Sequence, residues 1–179
     1  MNIFDIAKQN QEKAWQVIKN TNIIQIWEDA GAKINLVGSL RTGLLMKHRD
    51  IDFHIYSSPL NLADSFLAMA RLAENPSIKR IECANLLHTS EACIEWHAWY
   101  QNEENELWQM DMIHIREGSR YDGYFEKVAQ RISEIMTDEI RETILRLKYE
   151  TPETEKIIGV EYYQAVLRDG VRDYSGFKE

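Results

Sequence analysis

The chain has 179 residues, 44% of them hydrophobic and 28% charged, and its 21 Lys and Arg against 29 Asp and Glu leave a formal net charge of −8. That length supports one core, with room for a small helical appendage. The acidic balance disfavours a protein that grips nucleic acid through phosphate contacts alone, and apolar runs of only a few residues exclude a membrane-spanning helix.

Apolar residues from Ile3 to Trp27 recur mainly at three- and four-residue intervals, which predicts one or two amphipathic helices, broken near Asn20-Thr21-Asn22. Residues 33–37 read as a short strand ending at Gly38-Ser39, and residues 40–47 as a short helix or turn. Residues 50–56 alternate strictly: Ile51, Phe53 and Ile55 point one way, and Asp50, Asp52, His54 and Tyr56 the other. A helix over 61–73 stops at Asn75-Pro76. Strands follow over 78–87, 92–100 and 106–115, with turns at His88-Thr89-Ser90 and over 101–105. Beyond Gly118 the pattern is helical, with Thr137-Asp138-Glu139 and Thr151-Pro152-Glu153 both reading as helix starts. The expectation is an α+β domain over residues 1–118 and a helical region over 119–179.

Cys83 and Cys93 have no further Cys or His at ligand spacing, which argues against a disulfide framework and a zinc site. Both thiols read as semi-buried small hydrophobes in a cytosolic protein. The start MNIFDIAKQNQEKAW lacks the basic and apolar stretches of a secretory leader.

The chemistry concentrates in three places. A Gly38-Ser39 turn where a strand meets a helix offers close backbone approach and a hydroxyl to phosphate oxygens. Asp50 and Asp52, at i and i+2 on one strand, share a face and can share divalent cations, which would relieve their mutual repulsion. Asp111, between Met110 and Met112 on a neighbouring strand, completes a set of three carboxylates suited to Mg²⁺ and phosphoryl or nucleotidyl transfer.

Gly38-Ser39, ten residues, Asp50-Ile51-Asp52 and the later hydrophobic-Asp-hydrophobic at Asp111 resemble the signature of the nucleotidyltransferase-fold superfamily related to DNA polymerase beta. The His48-Arg49-Asp50-Ile51-Asp52 run looks like the small nucleotidyltransferases acting on aminoglycosides and lincosamides, and like the minimal bacterial nucleotidyltransferases. The resemblance covers roughly residues 33 to 115. It implies a nucleotidyltransferase-like mixed sheet flanked by helices, with a C-terminal helical part. One departure is Leu40-Arg41-Thr42-Gly43, where many minimal members carry Ala-Arg-Gly.

Arg41, Lys47 and Arg49 form a basic island beside the carboxylates, able to draw a triphosphate into place. Gly38, Ser39, Arg41 and Arg49 are therefore candidate nucleotide-binding residues, and Asp50, Asp52 and Asp111 candidate metal ligands. If residues 101–105 form the turn, pairing sets Glu95 opposite Asp111 and makes it a candidate general base. Trp96, Trp99 and Trp108 read as packing residues, with base or sugar stacking as the alternative. The expected activity is transfer of a nucleoside monophosphate from an NTP to a hydroxyl acceptor with Mg²⁺, two ions, and release of pyrophosphate. Acids at Glu91, Glu95, Glu103, Glu104 and Glu106, without a Lys or Arg between them, favour a cationic or neutral acceptor such as an aminoglycoside over nucleic acid. The alternatives are a non-catalytic nucleotide-binding regulator and an antitoxin-like enzyme that modifies a partner protein.

Overall fold

A computed structural model describes residues 2–178. Asn2 opens α1 (Ile3–Thr21) with a reciprocal cap: its side chain accepts from the Phe4 N–H, and Asp5 accepts from the Asn2 N–H. Asn22 ends the helix in the left-handed region, φ 53°, and α2 (Ile23–Asp29) starts at once, so the break falls where the pattern faltered.

β1 (Lys33–Val37) leads into α3 (Gly38–Thr42), a five-residue helix that begins and ends earlier than expected. Gly43, φ 70°, stops it, and Leu44, Leu45 and Met46 leave in non-helical chain because all three are core residues. β2 (Asp50–Ser57), α4 (Leu62–Ala73), β3 (Ile78–Asn85), β4 (Cys93–Gln101) and β5 (Leu107–Arg116) follow. α5 (Tyr124–Ile135) and α6 (Asp138–Glu150) come next, and the Thr137 hydroxyl caps α6 at the Ile140 N–H as its sequence foretold. Thr151, expected to start a helix, instead closes α6: its backbone N–H and its hydroxyl both return to the Leu147 carbonyl, and Pro152 cannot extend the helix. α7 (Gly159–Leu167) and α8 (Tyr174–Phe177) end the described chain.

The sheet order is β1-β2-β5-β4-β3, parallel only between β2 and β5. Its apolar face carries Ile51, Phe53, Ile55, Met110, Met112 and Trp96 and packs with Val17, Ile18, Trp27, Met69 and Leu72 of α1, α2 and α4. Helices α5 to α7 build a second core in which Ile132, Ile144, Leu147 and Tyr162 meet Ala7, Leu44 and Met46. Burying such side chains contributes about 1.5–3 kcal/mol each, which holds the helical part against the sheet domain. Among the described residues no helix is long and apolar enough to cross a membrane. Both cysteines are free; Cys93 is buried, whereas Cys83 is exposed rather than semi-buried, because it lies on β3 at the sheet edge.

Candidate functional site

Alternation along β2 puts Asp50, Asp52 and His54 on the face opposite the main core, and parallel pairing with β5 extends it: Asp50 lies beside Gln109 and Asp52 beside Asp111. The three expected carboxylates therefore share one face. Val37 pairs with Asp52, so the chain leaving β1 delivers Gly38 directly over that carboxylate. The approach is so close that a Cβ on Gly38 would sit 1.9 Å from Asp52 Oδ2, and the backbone there has φ +67°. Only glycine fits.

Ser39, Leu40 and Thr42 are buried on α3, while Arg41 is exposed. Ser39 Oγ accepts a 2.7 Å hydrogen bond from Lys148 Nζ, which also donates to the Leu44 carbonyl at 3.0 Å, and it lies 3.4 Å from the Tyr163 hydroxyl. Lys148 is buried on α6 between the rings of Tyr162 and Tyr163. Sequence reasoning missed this residue, although its signal was present: Lys148 stands one turn after Ile144, on the apolar stripe of its helix. Arg49 is exposed just before β2 and pairs with Glu106 at 3.1 Å.

Electrostatics mark the carboxylates as unfinished. The Asp52 carboxyl is pushed up to about 7, first by burial and then by the charges of Asp50 and Asp111, with Lys148 opposing. Asp50 Oδ1 is buried with no hydrogen-bond partner, which costs on the order of 1–3 kcal/mol or more. A hard cation would supply the missing counter-charge, and an all-oxygen donor set suits Mg²⁺. Among the described residues no three Asp, Glu, His or Cys groups converge into a ready-made cation cage. Asp111 is held to one side: its Oδ1 meets His97 Nδ1 at 2.5 Å and accepts from Gln109 Nε2 at 2.8 Å. Asp50 and Asp52 are thus the residues that would hold the ion, and Asp111 adds a carboxylate on the same face whose Oδ1 is engaged by His97 and Gln109.

Glu95 is not opposite Asp111. It pairs with Ile113, and His97 pairs with Asp111, because β4 runs on to Gln101 and the turn is Asn102 to Glu106 rather than 101–105. Asn102 Oδ1 accepts from the backbone N–H of both Glu104 and Glu106 and so closes that turn one residue later. A slide of two residues preserves the face, and Glu95 Oε2 lies 3.9 Å from His97 Nε2. His54, on the carboxylate face as expected, is buried 3.7 Å from Glu126 of α5. Trp96 and Trp108 are core residues; Trp99 is half-buried beside Gln109 with the Arg80 guanidinium 3.7 Å over its ring.

Neither a family model nor a curated protein sequence matches the chain. Solved structures do. One is the Cid1 poly(U) polymerase with MgGTP bound, at 11% identity and a TM-score of 0.64 over 92% of this chain and 53% of that one. A second is a cytoplasmic RNA terminal U-transferase, at 14% identity and a TM-score of 0.56 over 89% of this chain and 46% of that one. A third is the non-canonical poly(A) polymerase complex GLD-2 with GLD-3, at 7% identity and a TM-score of 0.59 over 94% of this chain and 60% of that one. The chain has their fold. It is the α+β nucleotidyltransferase-like architecture that the Gly38-Ser39 and Asp50-Ile51-Asp52 motifs implied, and the chain spans about half the length of these structures. At such low identity the likeness extends to the fold alone.

Proposed function

We propose that the chain is a Mg²⁺-dependent nucleotidyltransferase of the cytosol that moves a nucleoside monophosphate from an NTP to a hydroxyl acceptor and releases pyrophosphate. The observation that carries this reading is the crowding of Asp50 and Asp52 beside a glycine that no side chain can replace, with one carboxylate oxygen orphaned and the other group pushed up to about 7. The bound state of one neighbour, which holds MgGTP, supports it.

Bound Mg²⁺, as one or two ions, would neutralise charge on the attacking and leaving oxygens. Asp50 and Asp52 would hold the metal, and Asp111 would either join them or accept the acceptor's proton; Glu95, displaced from Asp111 by the hairpin register, loses its claim to that role. Gly38 leaves room for the triphosphate, Ser39 and Lys148 bind its oxygens, and Arg41 and Arg49 add positive potential at the mouth. Catalysis on this scheme is positioning and charge neutralisation.

The acidic β4–β5 hairpin favours a small cationic or neutral acceptor, of which an aminoglycoside is one example. A second reading, an RNA end, draws on a different observation. Lys47, His48 and Arg49 line a cavity of about 280 Å³ with Trp99, beside Gln109 and opposite Glu153. A cation-stacked indole next to basic residues is a platform for a base and its phosphate. The neighbours titled as terminal U-transferase and poly(U) polymerase support that reading.

The test is incubation with Mg²⁺ and each labelled NTP against an aminoglycoside, a short RNA and a cell lysate, with pyrophosphate release as readout. Asp50→Asn and Asp52→Asn should each lower transfer by several powers of ten while the protein stays folded. Near wild-type turnover in either variant removes the assignment, and NTP binding without pyrophosphate release to any acceptor favours the regulator.

A further inference from the structure

β3 is the last strand of the sheet, and Lys79, Arg80, Glu82, Cys83 and Asn85 on it are exposed. The direction of its free backbone groups follows from the hairpin with β4. Leu86, one residue beyond the strand, donates its N–H to the Cys93 carbonyl at 2.9 Å. By alternation Ala84 and Glu82 also bond to β4, while Asn85, Cys83 and Ile81 turn their N–H and C=O groups outward. An open row of this kind either repels other strands or recruits one. A run of like charges repels every copy of itself. Here Lys79 folds its ammonium onto the Pro76 carbonyl at 3.0 Å, and the charges that remain are opposite: Arg80 and Glu82, on one face and 3.0 Å from each other.

Opposite charges flanking Ile81 make this edge complementary to itself in one register. Two antiparallel copies whose outward groups bond must pair odd-numbered residues with odd-numbered ones. Centred on Ile81, each Arg80 stands opposite Glu82 of the second copy, in the closely spaced pairs where side chains meet. Centring on Arg80 or on Glu82 sets like charges face to face, and centring on Cys83 sets Arg80 against Leu86 and Glu82 against Ala84. The helix under this edge offers apolar surface as well. Leu62 and Phe66, one turn apart on α4, are exposed, and Phe66 packs edge-on against Trp96, the residue paired with Cys83.

We propose that β3 pairs antiparallel with β3 of a second copy of this chain, centred on Ile81, joining two five-stranded sheets into one with the two α4 helices side by side beneath it. The contact is isologous, so it holds the Arg80–Glu82 pair twice and covers Phe66 of both copies. This interface does not depend on the nucleotidyltransferase reading. It borders the basic cavity, because Arg80 lies over the Trp99 ring.

The experiment is sedimentation velocity of the full chain over a concentration series, in which the wild-type chain should show a monomer–dimer equilibrium. Glu82→Arg and Arg80→Glu should each weaken association by about tenfold or more, since both attractive pairs become repulsive. An equimolar mixture of the two variants should associate about as tightly as wild type. Every facing pair is then opposite in charge, although neither chain keeps its own Arg80–Glu82 pair, so a merely local effect on β3 does not produce that recovery. Dibromobimane bridges thiols about 5 Å apart, the spacing of opposed residues in such a pair, and should crosslink Ile81→Cys in a Cys83→Ser background. In this register the two Cys83 residues stand four positions apart, about 13 Å along the strands, so the wild-type chain should not crosslink. A monomer at every soluble concentration, association unchanged by both charge variants, failure of their mixture to associate, or crosslinking through Cys83 overturns the proposal.

Discussion

Gly38 and Asp52 are one feature seen from two strands. Because φ +67° is unfavourable for any L side chain by about 1–2 kcal/mol, and a Cβ would overlap Asp52 Oδ2, Gly38→Ala should lower the melting temperature. Gly38→Val should also lower NTP affinity more than tenfold, read by titration of the folded fraction. Another residue-scale outcome concerns His114, whose ring is buried between Ser57 and Ser65 and is pushed down to about 4 by burial. The folded protein keeps this imidazole neutral, whereas the unfolded chain takes up a proton as pH falls below the ordinary value of 6.5. Stability from this group is therefore full above that pH and is lost as pH falls toward 4, by about 3 kcal/mol. Thermal unfolding across that window should show a slope that His114→Asn lacks.

At the scale of elements, the contact that matters is α6 against α3. α3 has only five residues and depends on its surroundings, and Lys148 ties it in through Ser39 Oγ and the Leu44 carbonyl. Lys148→Met keeps the aliphatic stem and removes the charge. It should reduce NTP affinity by at least about tenfold, through the lost charge-assisted contact, with a smaller change in melting temperature. Calorimetric titration alongside thermal unfolding separates the two effects; unchanged NTP affinity would take Lys148 out of the site.

For the whole molecule, the division at residue 118 follows the change from strands to helices, but the cores do not respect it. Ala7, Leu44 and Met46 lie in the same cluster as Ile132, Ile144 and Tyr162. α1 serves both cores, since Val17 and Ile18 pack under the sheet. Heating should therefore give a single calorimetric transition, with equal calorimetric and van't Hoff enthalpies. A fragment ending at residue 118 should expose the apolar side chains that α5 to α7 cover and fail to fold as a monomer, checked by circular dichroism and sedimentation.

Short-range periodicity alone determined the two faces of β2, the helix break at Asn22 and the Thr137 cap, because each depends on neighbours within a turn or a strand repeat. The spacing of Gly38-Ser39 and Asp50-Ile51-Asp52 foretold their proximity for the same reason: one antiparallel pair, β1 with β2, brings them together. The hairpin register was decided elsewhere, by the Asn102 side chain satisfying the N–H groups of Glu104 and Glu106, and that choice set His97 rather than Glu95 against Asp111. Thr151-Pro152 carried the letters of a helix start, yet Thr151 is spent on the Leu147 carbonyl. Lys148 meets Ser39 across 109 residues, and His54 of β2 meets Glu126 of α5. Only tertiary structure decided these, since contacts between distant segments follow from which apolar faces find each other, and local pattern carries no record of the distance between them.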